Sequence, residues 1–307
     1  MARLVGAVCL SHSPFWDRSF DVSGSGAKFV AGIAAVRARV ERAAPDVIVV
    51  FGPDHFRGFF YDVFPPFCIG SGQISSVGDY DCPKGPLPGA PTQARALYEG
   101  VSRRGFDPAY SLNMAVDHGI SQPYSVMVPS LTTPLIPIMI GANGIPRPGY
   151  RRCHEFGRAV GEALREAGSE RVMLLASGGM SHWVPSANLG DPAMEAERRD
   201  YLINGRDRME TYSAQRDLSV RERRATINGR VNVEWDERFL SLLTAGDVEP
   251  ILSWPEASIE SEAGNGAHEL GAWLALAAAW GGGLEAIAYE PVPRWATGMG
   301  CVAAFDV

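Results

Sequence analysis

The sequence predicts an α/β fold: one domain over residues 1–307 with a central, mostly parallel or mixed sheet flanked by helices. Three observations lead there. Short runs that are apolar at nearly every position, DVIVVF, LIPIMIG and VMLLAS, read as strands buried on both faces, as in parallel sheets. Between them, residues 26–44 and 149–168 repeat apolar side chains at helical spacing. The chain, 307 residues with 46% apolar and 21% charged, is long enough for one large core and ordinary for a globular protein.

The first strand is LVGAVCL after Arg3. It mimics the apolar part of a short signal peptide, but it runs straight into SHSP and lacks a small-residue cleavage pattern. Residues 26–44 follow as an amphipathic helix with Phe29, Ile33, Val36 and Val40 inward, ended by Pro45 and Asp46; DVIVVF then closes a βαβ unit over 4–55. Val63 to Pro91 is proline-rich without helical period, which predicts loop and edge strand lying over the sheet and walling a pocket. A helix from about Pro91 to Arg104, the short segment AYSLNMAVDHGISQP with His118, and the buried strand LIPIMIG come next. The helix 149–168 turns Phe156, Val160, Leu164 and Ala167 inward, and VMLLAS is the following strand. From Glu195 to Arg238 ten arginines alternate with acids. This reads either as a solvated helical pair or subunit contact laced with ion pairs, or as the source of one arginine that reaches the pocket and holds a substrate carboxylate.

A formal charge of −7 argues against a nucleic-acid partner, which needs a basic face. The five cysteines are odd in number, scattered and free of any CxxC pair; they suit a reducing cytoplasm and exclude the usual structural zinc site. No apolar run approaches the ~20 residues of a membrane span.

Three predicted strands run directly into a histidine: His12, His55 and His182. If the strands are parallel, these converge at one edge of the sheet, where open α/β folds place ligands, so a metal or acid/base site is expected. AGNGAHELGAWLALAAAW reads as a helix in which Glu269 shares a face with Trp273, Leu276 and Trp280 and is therefore buried. A buried carboxylate demands a cation, either a metal or an arginine. His268 diverges from it by ~100° around the helix, so only one of the two faces the site. Two histidines and one carboxylate suit Fe(II) with open positions for substrate and dioxygen, and equally a catalytic zinc.

The motifs CLSHSP, FGPDHFRGFFYDVFPPFCIG, MAVDHGISQP, SGGMSHWVP and AHELGAWLA, in this order over nearly the whole chain, resemble the class III extradiol ring-cleavage dioxygenases, the LigB-like superfamily. Within it, the resemblance is to the bacterial group acting on 2,3-dihydroxyphenylpropionate. It implies that His12, His55 and Glu269 bind non-haem Fe2+, that His118 is a proton donor and that His182 is a proton acceptor. It also implies a catechol and O2 as reactants and a homo-oligomer. A 3-substituted catechol with a propionate tail is the leading substrate, beside gallate-like, protocatechuate-like or biaryl catechols. The likeness is weakest over 78–91 and 195–238, which are expected to face the substituent. Asp54 and Asp117 each precede a site histidine, either orienting an imidazole or capping a turn. His154 is expected at the surface, and Tyr61, Phe59 and Phe60 either in an aromatic pocket or in core packing. Competing functions are hydrolysis by a metal-activated water and a non-catalytic relative that acts through protein partners.

Overall fold

The computed structural model describes residues 2–19, 24–168 and 170–306. In chain order the elements are β1 (Arg3–Leu10), α1 (Ala27–Ala43), β2 (Val47–Gly52), β3 (Phe67–Val77), β4 (Lys84–Leu87), α2 (Pro91–Ser102), β5 (Ala109–Val116), α3 (His118–Met127), β6 (Leu135–Ile140), α4 (Tyr150–Glu166) and β7 (Arg171–Ser177). The arginine-rich stretch forms α5 (Ala196–Asn204) and α6 (Met209–Arg223), followed by α7 (Val233–Ala245), α8 (Glu249–Leu252), α9 (Glu256–Ala263), α10 (Gly271–Trp280), β8 (Glu285–Val292) and β9 (Thr297–Phe305).

All nine strands among the described residues join one mixed sheet in the order β4-β3-β6-β2-β7-β1-β9-β8, with β5 paired to β3. Its centre, β6-β2-β7-β1, is parallel, while β9, β8 and the β3–β6 and β3–β4 pairs are antiparallel. The centre is buried on both faces because strand side chains alternate sides. Val47, Val49 and Phe51 of β2 pack toward α4, α10 and α2, whereas Ile48 and Val50 pack toward α1 and α3. In β1 an irregularity between Leu4 and Gly6 shifts the parity, so Leu4 shares its face with Ala7 and Cys9.

Two glycines set the tightest helix contact. A side chain at Gly157 or Gly161 of α4 would overlap the carbonyls of Ala275 and Ala279 in α10, so the two helices meet backbone to backbone. That holds α10, whose first residue follows the turn that carries Glu269.

The region Val63 to Pro91 holds an edge strand as expected, β4, but otherwise departs from expectation. It does not lie over the sheet; its first part is the eleven-residue β3, which extends the sheet and pairs with three other strands. Gly70 and Gly72 hide the strand pattern, yet both sit where a Cβ would clash with neighbouring strand atoms. Only the turn after β3 walls a pocket. AYSLNMAV and HGISQPYSVM are β5 and α3 rather than one short segment. All five cysteines are free and buried, and no helix among the described residues is long and apolar enough to cross a membrane.

Candidate active site

The parallel strands deliver their histidines as expected. His12 lies two residues past β1, His55 three past β2 and His182 five past β7, all at the carboxyl edge of the sheet. His118 opens α3, whose N-cap Asp117 accepts from the Gly119 amide at 2.8 Å. The rings of His55 and His118 stack at 4.1 Å between centroids, and His12 meets both edge-on.

Glu269 lies at the centre of this group, fully buried. Its place corrects one expectation: it belongs not to α10 but to a 3-10 turn over Asn265–Leu270 that precedes it. The Gly264 and Gly266 entry breaks the helix, and both glycines make room for His182, since a side chain at 264 would overlap its carbonyl and one at 266 its ring. The carboxylate stands 3.4 Å from His12 Nε2 and 3.0 Å from His55 Nε2, with His182 Nε2 at 3.8 Å. The Gly179 amide and Asn143 Nδ2 donate to it at 3.0 and 3.2 Å. Among the described residues no arginine or lysine pairs with it, which removes the arginine alternative. Burial alone would raise its pKa, but the imidazoles of His12, His55 and His182 pull it well below the usual carboxylate range.

The far side of each ring is held. His12 Nδ1 is 2.7 Å from Ser177 Oγ, and burial lowers its pKa to about 3, a neutral imidazole. His55 Nδ1 is 3.0 Å from Asp117 Oδ2, which also accepts the His55 amide at 2.6 Å. With Nδ1 of each ring held by these oxygens, the Nε2 atoms of both rings face Glu269, so two ring nitrogens and one carboxylate oxygen converge as a metal requires. The donor set fits a divalent cation. His118 Nδ1 sits 2.6 Å from Asp79 Oδ2, and His182 Nδ1 2.8 Å from the Met180 carbonyl.

The remaining candidates separate. Asp117 orients the imidazole of His55, not that of its sequence neighbour. Asp54 closes a turn, accepting the amides of Arg57, Gly58 and Phe59, and burial raises it to about 7. His268 turns away toward Glu260, at 3.5 Å. His154 is half-buried in α4 rather than fully at the surface. Phe60 and Tyr61 pack in a small cluster with Phe56, Tyr201 and Leu202, and Phe59 packs against the α1 side of the core.

A cavity of about 790 Å³ opens over the histidines, a volume suited to a small aromatic ligand. Its aromatic walls are Phe15, Phe56, Tyr80, Trp183 and Trp295. Sequence reasoning missed Asp79, Arg57, Asn143 and Ser177. Arg57 is buried between Asp79, at 3.2 Å, and Asp217 of α6, at 3.3 Å, so the two segments of weakest resemblance meet behind His118. Tyr80 and Asp81 carry the turn there in left-handed conformations, φ 49° and 64°, and the Tyr80 ring abuts His118 at 4.7 Å.

The chain matches the family described as "Catalytic LigB subunit of aromatic ring-opening dioxygenase" over residues 6–300, and it belongs to that family. Among curated relatives, a protein of Photorhabdus laumondii named "2,3-dihydroxyphenylpropionate/2,3-dihydroxicinnamic acid 1,2-dioxygenase" is 34% identical over 99% of this chain and 98% of its own length. Proteins with the same name from Klebsiella pneumoniae (strain 342) and Escherichia coli (strain K12 / DH10B) are 35% and 34% identical, each over 96% of this chain and 97% of their own.

Proposed function

We propose that the protein is a non-haem Fe(II) extradiol dioxygenase that opens the ring of a 3-substituted catechol such as 2,3-dihydroxyphenylpropionate. The carrying observation is Glu269: a fully buried carboxylate facing two imidazole Nε2 atoms, with no arginine or lysine paired to it among the described residues. His12, His55 and Glu269 would hold the metal. Bound there, ferrous iron supplies open positions that bring the diol and O2 together and conduct electrons between them.

The protein's own groups handle protons. His182 gives its Nδ1 proton to a neutral carbonyl, which leaves Nε2 as an acceptor facing the cavity, suited to take a proton from a catechol hydroxyl. His118 has a carboxylate on Nδ1 instead; an imidazolium donates from both nitrogens, and with Asp79 taking one bond the other is free for the reacting oxygen. Two histidines in one site thus receive opposite tasks from their partners. Aromatic side chains offer faces against which the ring can pack, and the names of the relatives support the propionate-bearing substrate.

The test is turnover by purified protein loaded with ferrous iron in air. A catechol panel led by 2,3-dihydroxyphenylpropionate should give a yellow ring-opened product and matching oxygen uptake. Glu269→Ala should lose iron, whereas His118→Ala and His182→Ala should keep it and lose turnover. No colour and no oxygen uptake with any catechol would refute the proposal, and zinc-dependent hydrolysis persisting without oxygen would replace it.

A further inference from the structure

The arginine-rich stretch divides into two functions on the surface of one helix. Arg216, Ser219, Val220 and Arg223 of α6 line the cavity, and their spacing of three, four and seven places them on one helical face. Asp217, Arg221 and Arg224 occupy an adjoining face and bind the turn after β3: Asp217 takes Arg57 and the Tyr80 amide, while Arg221 and Arg224 grip Asp81 at 2.8 and 2.7 Å. The helix is therefore latched by one face and presents the other to the site.

Six arginines line the cavity, and three are already engaged. Arg57 is paired with Asp79 and Asp217, Arg147 with Glu260 at 3.2 Å, and Arg198 donates to the carbonyls of Pro185 and Ser186. Arg223 and Arg230 are exposed, with their guanidinium groups over the rings of Phe15 at 5.6 Å and Trp183 at 4.0 Å. Arg216 differs from both. It is half-buried, it has no carboxylate or carbonyl acceptor among the described residues, and its charge reaches the Tyr80 phenol, whose ring touches His118. A cavity-facing guanidinium with no such acceptor is available to an anion, and its planar fork matches a carboxylate. The chain as a whole carries a charge of −7, a field that repels an anionic substrate, so local cations are needed to admit one.

We propose that Arg216 binds the side-chain carboxylate of the substrate, with Arg223 and Arg230 as a cationic rim at the entrance. This rests on the reading of the substrate as a catechol with a carboxylate tail. It makes α6 the element that selects the ring substituent, while the sheet edge performs the reaction.

The test compares 2,3-dihydroxyphenylpropionate with 3-propylcatechol, which has a tail of similar length and no charge, using the iron-loaded enzyme. Arg216→Met should lower the kcat/KM ratio between the two roughly 10- to 100-fold, mainly through KM of the acid, as loss of a charged hydrogen bond does. Arg216→Lys should restore part of the ratio. Calorimetric titration with 3-phenylpropionate, which has no hydroxyls to chelate a metal, should show binding to the wild type and none to Arg216→Met, with iron content and thermal unfolding confirming an intact fold. An unchanged ratio in Arg216→Met, or the same loss in Arg223→Met but not in Arg216→Met, would overturn the assignment of Arg216. A wild type that cleaves catechols but favours propylcatechol would instead overturn the carboxylate reading beneath it.

Discussion

Gly179 and Gly266 close on the His182 ring from two directions, and filling either space isolates the role of that ring from the metal. A Cβ on Gly179 would stand 2.6 Å from His182 Cε1 and 2.8 Å from Nδ1, where ordinary contact begins at 3.4 Å. The backbone at 179 is not left-handed, so alanine itself is tolerated, and the strain falls on the imidazole. The ring must retreat by about 0.8 Å, and a displacement near 1 Å costs on the order of 100-fold in rate when a reacting group must meet its partner. Gly179→Ala is thus expected to lower kcat roughly 30- to 100-fold. The assay is initial rate of yellow product at saturating catechol, with iron measured in the same sample because the Gly179 amide also donates to Glu269. Gly266→Ala presses the same ring without altering that hydrogen bond, so it should give a similar loss with full iron. Both variants turning over within threefold of wild type, iron retained, would refute the claim that His182 Nε2 must reach the substrate.

Three further outcomes follow from the geometry. Asp117→Asn removes the carboxylate from His55 Nδ1, and iron affinity measured by competition with a chelator should fall about 10- to 100-fold, as for other partners of metal-bound histidines. Asp236 is fully buried, accepts from Ser181 N, Ser181 Oγ and the Tyr289 hydroxyl, and is raised by burial to about 7. Between about pH 4 and 7 the folded state holds a proton that the unfolded chain has released, so stability relative to Asp236→Asn should decline as pH rises through that window and level off above it. Thermal unfolding of both proteins across pH 4–8 checks the sign; a difference independent of pH would disprove it. Gly157→Ala forces α4 off the Ala275 carbonyl and should destabilise by ~1–3 kcal/mol in chemical denaturation, the usual cost of overpacking.

The parts of the fold that were legible are those whose signal is local. Continuous apolar runs identified β2, β6 and β7 because both faces of those strands are covered, and a histidine just beyond a strand end is placed by topology alone. β3 was obscure for the opposite reason: CIGSGQISSV owes its strand to close approach by neighbours, which glycine permits and no periodicity announces. The burial of Glu269 was legible from its spacing to Trp273 and Leu276, but its element was not, because the helix starts at Gly271 only after Gly264 and Gly266 yield to His182. Asp79, Ser177 and Asn143 had no signal at all. Each is a single polar residue whose partner, His118, His12 or Glu269, lies 39, 165 or 126 positions away.

That separation explains how one site can keep its chemistry and vary its substrate. His12, His55 and Glu269 hang from the parallel strands and the α4–α10 contact, so changing their positions would mean repacking the core. The turn at 79–81 and helix α6 are joined to each other by ion pairs and touch His118 through Asp79 and Tyr80. Side chains on the cavity face of α6 can therefore be exchanged without breaking its latch, since Asp217, Arg221 and Arg224 project from a different face. The same latch links the two halves: Arg57 bridges Asp79, which holds His118, to Asp217 on α6, so loosening the helix should reach His118 as well as the cavity face of α6. Asp217→Ala is accordingly expected to lower kcat with 3-propylcatechol too, where Arg216→Met acts chiefly on the acid, and the contrast between neighbouring residues on one helix distinguishes its two faces.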